Sequence, residues 1–346
     1  MSTQQIKQAF TQLGHYLRSD DAQLNELINS AQGYNAWFTP EQVNHAVQAL
    51  GKMLNPSDIE QWIDSAYETH QQEHQSITVG LVLAGNIPLV GFHDILTVLA
   101  SGNKAMIKLS SQDKHLTPHI LSRLIEYMPS LKDHIIYTDR LKEFDAVIAT
   151  GSNNTSRYFE YYFKKVPHII RKNRNSVAVL DGTESKEDFI ALGHDIFDYF
   201  GLGCRNVSKL FVPEAYNFVP FFEAIEEPFK NMINHHKYAN NYDYNKSIYL
   251  VNGEKHLDNG FLLLKQDVSM SSPLAVLFYD TFPTKLQAEE KLNILSEQIQ
   301  CVVVKEKLDL QNQQVMFGDS QTPKLWDYAD GVNTFEFLLN YNPTLI

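Results

Sequence analysis

One of only two cysteines in 346 residues lies in the stretch DYFGLGCRNVSKLFVP, residues 198–213. Cys204 follows Gly201 and Gly203 and precedes a β-branched run. The nucleophile of thiol chemistry is the thiolate. A turn built from small residues leaves a thiol accessible and aims backbone N–H groups beside its sulfur. Arg205 next to it, and a helix terminus nearby, favour the thiolate. The same residues also allow a buried, inert thiol, the commoner fate of a free cysteine. Cys301, in IQCVVVKE, fits that second description, because it sits inside a β-branched strand. No histidine stands at a readable spacing from Cys204. His194 lies within a predicted helix. His235 and His236, in NHHKYANNYDYN, read as a solvated polar loop.

Three further stretches have the form of strand-to-helix corners. In LAGNIP, residues 83–88, a strand ends, Gly85 allows a tight turn and a helix is predicted to begin near Pro88. Asn86 would project there, with an amide able to donate a hydrogen bond. A plain turn asparagine is the competing reading. In IKLSS, residues 107–111, Lys108 is followed by the hydroxyls of Ser110 and Ser111, a set suited to ribose hydroxyls or phosphate. A surface lysine is the alternative. In ATGSNNTSR, residues 149–157, Gly151 permits close backbone approach and Ser152 can cap a helix whose N-terminus attracts phosphate. None of these is a GxGxxG or GxxxxGK[ST] loop. Together they open on one sheet edge and suggest a nucleotide site.

Such corners need a framework. Residues 1–75 read as helices, with apolar positions at helical spacing (Leu13, Tyr16, Leu17; Leu24, Leu27, Ile28) and helix starts at Thr39-Pro40-Glu41 and Asn55-Pro56-Ser57. From Ile77 the texture changes to short apolar runs alternating with amphipathic segments: ITVGLVLAG, NKAMIKLS, DHIIYT, DAVIAT and SVAVLDG as strands, LVGFHDILTVLAS, LTPHILSRLIEYM, TSRYFEYYFKK and KEDFIALGHDIFDYF as helices. After Cys204 come VSKLFVP, KSIYLVN, PLAVLFYD and CVVVKE as strands, with KLQAEEKLNILSEQI as a helix. Strands alternating with helices predict an α/β fold with mostly parallel sheets.

Composition narrows the partners. Hydrophobic residues make up 43% and charged residues 20%, the balance of a globular protein. Lys and Arg total 29 against 41 acidic residues, a net charge of −12, which argues against nucleic acid or an anionic membrane as main partner. No apolar run approaches membrane-spanning length, and the first residues lack a signal-peptide pattern. Two cysteines make no disulfide framework and no zinc site, so a reducing cytoplasm and no metal are expected.

Taken in order, AGNIP, IKLSS, TGS, and GLGC followed by VSKLFVP resemble the aldehyde dehydrogenase superfamily. Within it, the GCRN turn and the ending LWDYADGVNTFEFL are similar to the acyl-CoA reductase family that includes the fatty-acid reductase of bacterial luminescence. The resemblance runs from about Ile77 to the C-terminal segment. It implies two Rossmann-type α/β domains, and Cys204 as the nucleophile. It implies Asn86 and the Cys204 N–H as donors of an oxyanion hole. It further implies Lys108 on the adenosine ribose, with Ser110 and Ser111 beside it, and Gly151 and Ser152 at the pyrophosphate. Where hydrolytic members carry a general-base Glu, the register set by NSVAVLD places Ile170, which fits a thioester that is reduced rather than hydrolysed. Ser111 replaces an acid that would repel a 2′-phosphate, which leans the cofactor toward NADPH, with NADH the alternative. Ser269 stands where an acid holds the nicotinamide ribose in relatives.

The resulting expectation has four segments. Residues 1–75 form a helical segment packed on the cofactor domain, 76–181 the NADP-binding domain and 182–315 the catalytic domain with Cys204. Residues 316–346 return to the cofactor domain or form an oligomer contact. The expected activity is NAD(P)H-dependent reduction of a fatty acyl-CoA or acyl-carrier thioester to the aldehyde through an acyl-cysteine, in a homo-oligomer. The competing readings are a cysteine acyltransferase or thioesterase without hydride transfer, and an inactive nucleotide-binding scaffold.

Overall fold

The computed structural model describes residues 2–68, 70, 75–151 and 153–341. The chain divides into two compact units, Met1–Asn173 with Thr322–Ile346, and Arg174–Gln321.

The first unit opens with four helices, α1 (Thr3–Leu17), α2 (Ala22–Ser30), α3 (Pro40–Met53) and α4 (Pro56–Glu68). The helix starts read from Pro40 and Pro56 are where the helices begin. Thr39 caps α3 through its hydroxyl, which accepts from Gln42 N, and Pro40 fills the first turn, where its missing N–H costs nothing. The apolar stripes of these helices, including Phe10, Leu13, Leu17, Val47 and Trp62, share one core with the strands that follow. That sharing gives each amphipathic face the partner it needs.

Those strands are β1 (Thr78–Val82), β2 (Lys104–Lys108), β3 (Ile135–Tyr137), β4 (Ala146–Thr150) and β5 (His168–Arg171), connected through helices α5 (Phe92–Ala100), α6 (Leu116–Tyr127) and α7 (Asn153–Phe163). Every strand pair is parallel, and the order is β3-β2-β1-β4-β5. The connections run one way from β1 through β3 and the other way from β4, so the carboxyl ends of β1 and β4 flank the topological switch point.

The second unit contains β6 (Asn175–Val179), α8 (Lys186–Phe197), β7 (Val207–Pro213), α9 (Val219–Phe229), α10 (His236–Asn252), β8 (Leu257–Asp258), β9 (Leu263–Gln266), β10 (Val276–Phe282), α11 (Lys285–Ile294), β11 (Ile299–Val304) and β12 (Gln313–Val315). Its sheet has the order β12-β11-β6-β7-β10-β9-β8, parallel except for the β8/β9 pair. The final helix, α12 (Thr334–Leu339), belongs to the first unit. It is fixed there by Arg171, whose guanidinium pairs with Asp94 of α5 at 2.6 Å and donates to the Thr334 hydroxyl at 3.1 Å, all three groups buried.

Two sequence readings need correction. KSIYLVN is the end of helix α10, not a strand, and the Tyr/Asn-rich stretch before it is the start of that helix rather than a loop. Its buried residues are Tyr238, Tyr242, Asn245 and Tyr249, a spacing of four, three and four that only a helix puts on one face. Gly253 in the left-handed region closes it. Likewise, the helix after LAGNIP starts at Phe92, not near Pro88. Leu89, at φ +58°, breaks the chain direction in between. Among the described residues no helix is long and apolar enough to cross a membrane.

Candidate active site

Cys204 sits in a four-residue turn that enters β7. The Asn206 N–H donates to Gly203 O at 3.1 Å, and the Asn206 side-chain oxygen accepts from Gly203 N at 2.8 Å. The turn therefore closes on Gly203 twice. The Asn206 amide nitrogen donates in turn to three carbonyls near the end of α8, those of Asp198 (2.8 Å), Asp195 (3.1 Å) and Ile196 (3.4 Å). These are among the carbonyls a helix end leaves without intrahelical partners. Between α8 and the turn the chain runs through Tyr199, Phe200 and Gly201, all at positive φ (+54°, +58° and +76°). Two bulky residues in this region cost on the order of 1–3 kcal/mol each and persist only where their surroundings dictate them. Burial does so here, since Tyr199 and Phe200 are 5% and 6% exposed.

On its other side the turn leans on β6. The Ser176 hydroxyl donates to Cys204 O at 3.1 Å and also meets the Cys301 sulfur at 3.1 Å. The two cysteines thus separate as their contexts suggested. The Cys204 side chain is exposed, whereas Cys301 is fully buried and its thiol is pushed up to about 11 by desolvation. Arg205 reaches Gln313 of β12 at 3.1 Å.

His194 lies within helix α8, where the sequence reading places it. His194 pairs with Asp198 at 3.1 Å, and that carboxylate raises its pKa. His236 is the first residue of α10 rather than part of a loop, and in the bend before it stands His235. It caps α10, and its ring lies 4.3 Å from that of Phe200, in the left-handed run before Cys204. No spacing signal could have brought residue 235 to this loop.

At the α8 end, Asp195 is fully buried and accepts from Gly318 N (2.7 Å) and Ser320 N (2.9 Å). Burial pushes it up to about 6 against the pull of those donors. Lys209 of β7 is also fully buried. Its ammonium donates to Asp267 O (2.7 Å) and Ser269 O (3.1 Å) and lies 3.5 Å from Asp280. It thereby fixes the exposed loop that carries Ser269.

In the first unit, the corners after β1, β2 and β4 occupy neighbouring positions on the carboxyl edge of the sheet, as their strand order requires. Asn86 is exposed in a bend four residues beyond β1, and Lys108 and Ser111 are exposed at the end of β2. Gly85 is needed as glycine, because a Cβ there would overlap the Ser110 hydroxyl. Gly151 is needed for a similar reason: a Cβ would lie 3.0 Å from Thr155 and Phe159 of α7. Its N–H is directed to Arg171 O at 3.4 Å, so its contribution is the absence of a side chain. Ser152 lies outside the described residues. Ile170 pairs with Ala149 in the β4/β5 ladder and brings no ionisable group to that position. Among the described residues no group of three or more His, Cys, Asp or Glu side chains is placed to hold a metal ion.

Sequence reading missed Asn206 and Ser176 at the Cys204 turn of the second unit, and Asp113 at the sheet edge of the first. Asp113 is a buried carboxylate in the loop after β2 that accepts from Leu89 N. Only Asn206 had a local signal, as the polar residue that ends a G-C-R-N turn.

Among curated proteins, no sequence matches this chain. Solved structures share its fold. The chain is similar to a NAD-dependent benzaldehyde dehydrogenase from Corynebacterium glutamicum, with a TM-score of 0.65 at 13% identity over 93% of this chain and 83% of that one. It is similar to aldehyde dehydrogenase 21 from Physcomitrella patens, with a TM-score of 0.64 at 12% identity over 98% and 84%. It is similar also to the aldehyde dehydrogenase KauB from Pseudomonas aeruginosa, with a TM-score of 0.62 at 13% identity over 91% and 76%. The fold is thus the aldehyde dehydrogenase-like α/β fold expected from the order of the motifs. The family model for acyl-CoA reductase (LuxC) matches residues 4–261. With that match over most of its length, the chain belongs to the acyl-CoA reductase (LuxC) family and is an oxidoreductase acting on aldehyde or acyl groups.

Proposed function

We propose that the protein reduces a fatty acyl thioester to the aldehyde through an acyl-Cys204 intermediate, with a nicotinamide cofactor, NADPH in preference to NADH. The observation that carries this reading is the exposed thiol of Cys204 in a turn fixed on both sides, in a chain of the acyl-CoA reductase family. The Cys204 thiolate attacks the thioester carbonyl carbon. A carbon–sulfur bond to Sγ forms as the carbonyl electron pair moves to oxygen. The Asn86 amide and the Cys204 N–H hold that oxyanion, each worth about 3 kcal/mol. Collapse breaks the bond to the departing sulfur, which leaves as a thiolate and takes its proton from solvent. Ile170 supplies no base to activate water, so the acyl-enzyme is kept for reduction.

The carboxyl edge of the first unit's sheet fits a dinucleotide. Gly85 and Gly151 clear space at two corners, and exposed Lys108 and Ser111 offer an ammonium and a hydroxyl to a ribose or phosphate. Ser110 and Ser152 complete the proposed set. A bound reduced nicotinamide would supply the hydride that turns acyl-Cys204 into aldehyde and free thiolate, and would leave oxidised.

Mass spectrometry of the protein mixed with long-chain acyl-CoA tests this. The expected result is an acyl adduct on Cys204 that disappears, with aldehyde formed, when NADPH is added. Aldehyde formation by Cys204→Ala would overturn the reading. An adduct that hydrolyses or persists regardless of NADPH would favour a thioesterase or acyltransferase.

A further inference from the structure

Asn206 is not among the groups proposed to meet the substrate, yet its side chain is tied to both the Cys204 turn and the end of α8. It is 3% exposed, accepts from Gly203 N and donates to backbone carbonyls of the α8 end. Its own N–H takes Gly203 O into the turn at 3.1 Å. The described residues contain no cis peptide bond. In a planar trans peptide the C=O and the following N–H point in opposite directions. Because Gly203 C=O is drawn inward, the N–H of Cys204 is directed away from the turn interior. The next peptide is held independently, through Cys204 O and the Ser176 hydroxyl. The approach from α8 runs through three left-handed residues, with Leu202 N donating to Tyr199 O at 3.1 Å, and the tether from Asn206 to the carbonyls of Asp195 and Asp198 ties the turn to the helix end.

We infer that Asn206 is a positioning residue: its side chain, by holding Gly203 N and the carbonyls at the α8 end, fixes the turn in which the backbone bond to Gly203 O orients the Gly203–Cys204 peptide, and so aims the Cys204 N–H at the developing oxyanion. This rests on the proposed role of Cys204 and names the residue that makes its peptide fit for that role. The signature is selective. Acylation of Cys204 builds an oxyanion, whereas its alkylation by iodoacetamide displaces iodide and builds none.

The experiment measures both reactions at Cys204 in the full-length wild type, Asn206→Ala and Asn206→Ser. Acylation by long-chain acyl-CoA is followed in a single turnover without cofactor, and alkylation across pH 6–9. The expected result for Asn206→Ala is acylation slowed by about tenfold to a hundredfold, approaching the loss of one oxyanion donor, with alkylation and its pH profile changed less than about threefold. Should Asn206→Ala not fold, Asn206→Ser, which leaves a hydroxyl facing the buried carbonyls, is expected to show the same selective loss. Wild-type acylation rates in the variants would overturn this inference alone. So would a parallel fall in acylation and alkylation, the mark of a merely structural role. Absence of any acyl adduct on wild-type Cys204 would instead overturn the functional reading, and this inference with it.

Discussion

Asp113 accepts the backbone N–H of Leu89 through Oδ2 at 3.1 Å, which joins the loop after β2 to the corner after β1 that carries Asn86. Leu89 is at φ +58°, a conformation that a leucine adopts only under constraint. Its other oxygen, Oδ1, has no hydrogen-bond partner, and burial raises the pKa of the carboxyl against the pull of the backbone N–H groups around it. One carboxylate thus fixes two loops of the sheet edge.

Replacing it separates the two parts of that role. Asp113→Asn keeps an oxygen for Leu89 N and removes a buried charge, so its melting temperature at pH 8 should equal or exceed that of the wild type. Asp113→Ala leaves the buried Leu89 N–H without an acceptor and should destabilise by about 1–3 kcal/mol. Denaturant titration of both variants checks the order. A less stable asparagine variant would contradict it.

Asn86→Ala should lower the rate of acyl-enzyme formation by about a hundredfold, the effect of removing one side-chain oxyanion donor. Cofactor affinity, measured by fluorescence titration, should change little. A variant whose only defect is cofactor binding would show that Asn86 serves the nucleotide instead.

Ser111→Glu should weaken NADPH binding at least about tenfold and leave NADH within a few-fold, because a carboxylate at the end of β2 would face a 2′-phosphate. Parallel titrations with the two nucleotides provide the comparison. A wild type that prefers NADH would remove the basis for this expectation.

Asp195 makes stability depend on pH. Its folded pKa of about 6 lies above its ordinary value of 3.8, because burial disfavours the charge. A raised folded pKa means that the folded state holds the proton more tightly. This contribution is present below pH 4, declines as pH rises toward 6 and is lost above it, up to about 3 kcal/mol. Carboxylates held low, such as Asp267 at about 2, are fully ionised in both states by pH 6 and add no slope there. Between pH 5 and 7, therefore, wild-type unfolding free energy should fall more steeply than that of Asp195→Asn. Parallel curves would show that Asp195 titrates normally.

Features set by local chemistry were legible from the residues. Thr39-Pro40 and the Ser185–Asp188 capping box mark helix starts by donor and acceptor types alone. The β-branched runs that became β1, β4 and β11 are buried along most of their length, as their composition requires. KSIYLVN misled because tyrosine and β-branched residues suit strands locally, while the periodicity that decides for helix begins eight residues earlier, at Tyr238. Helix α9 was missed because Pro220 and Pro228 punctuate it, the first in a tolerated position and the second in its last turn. At the site, residue types marked Cys204, Asn86 and Lys108 as candidates. The groups that orient them, Asn206, Ser176 and Asp113, bond to backbone atoms up to 28 residues away, and such partners exist only once the chain has folded.

Strand β7, which follows the Cys204 turn, lies between β6 and β10, and Lys209–Phe211 pair with both neighbours. Their residues are hydrogen-bonded on both sides inside the sheet, the environment whose amides exchange most slowly. The exposed Cys204 side chain is therefore mounted directly before a segment expected to be among the last of the second unit to open.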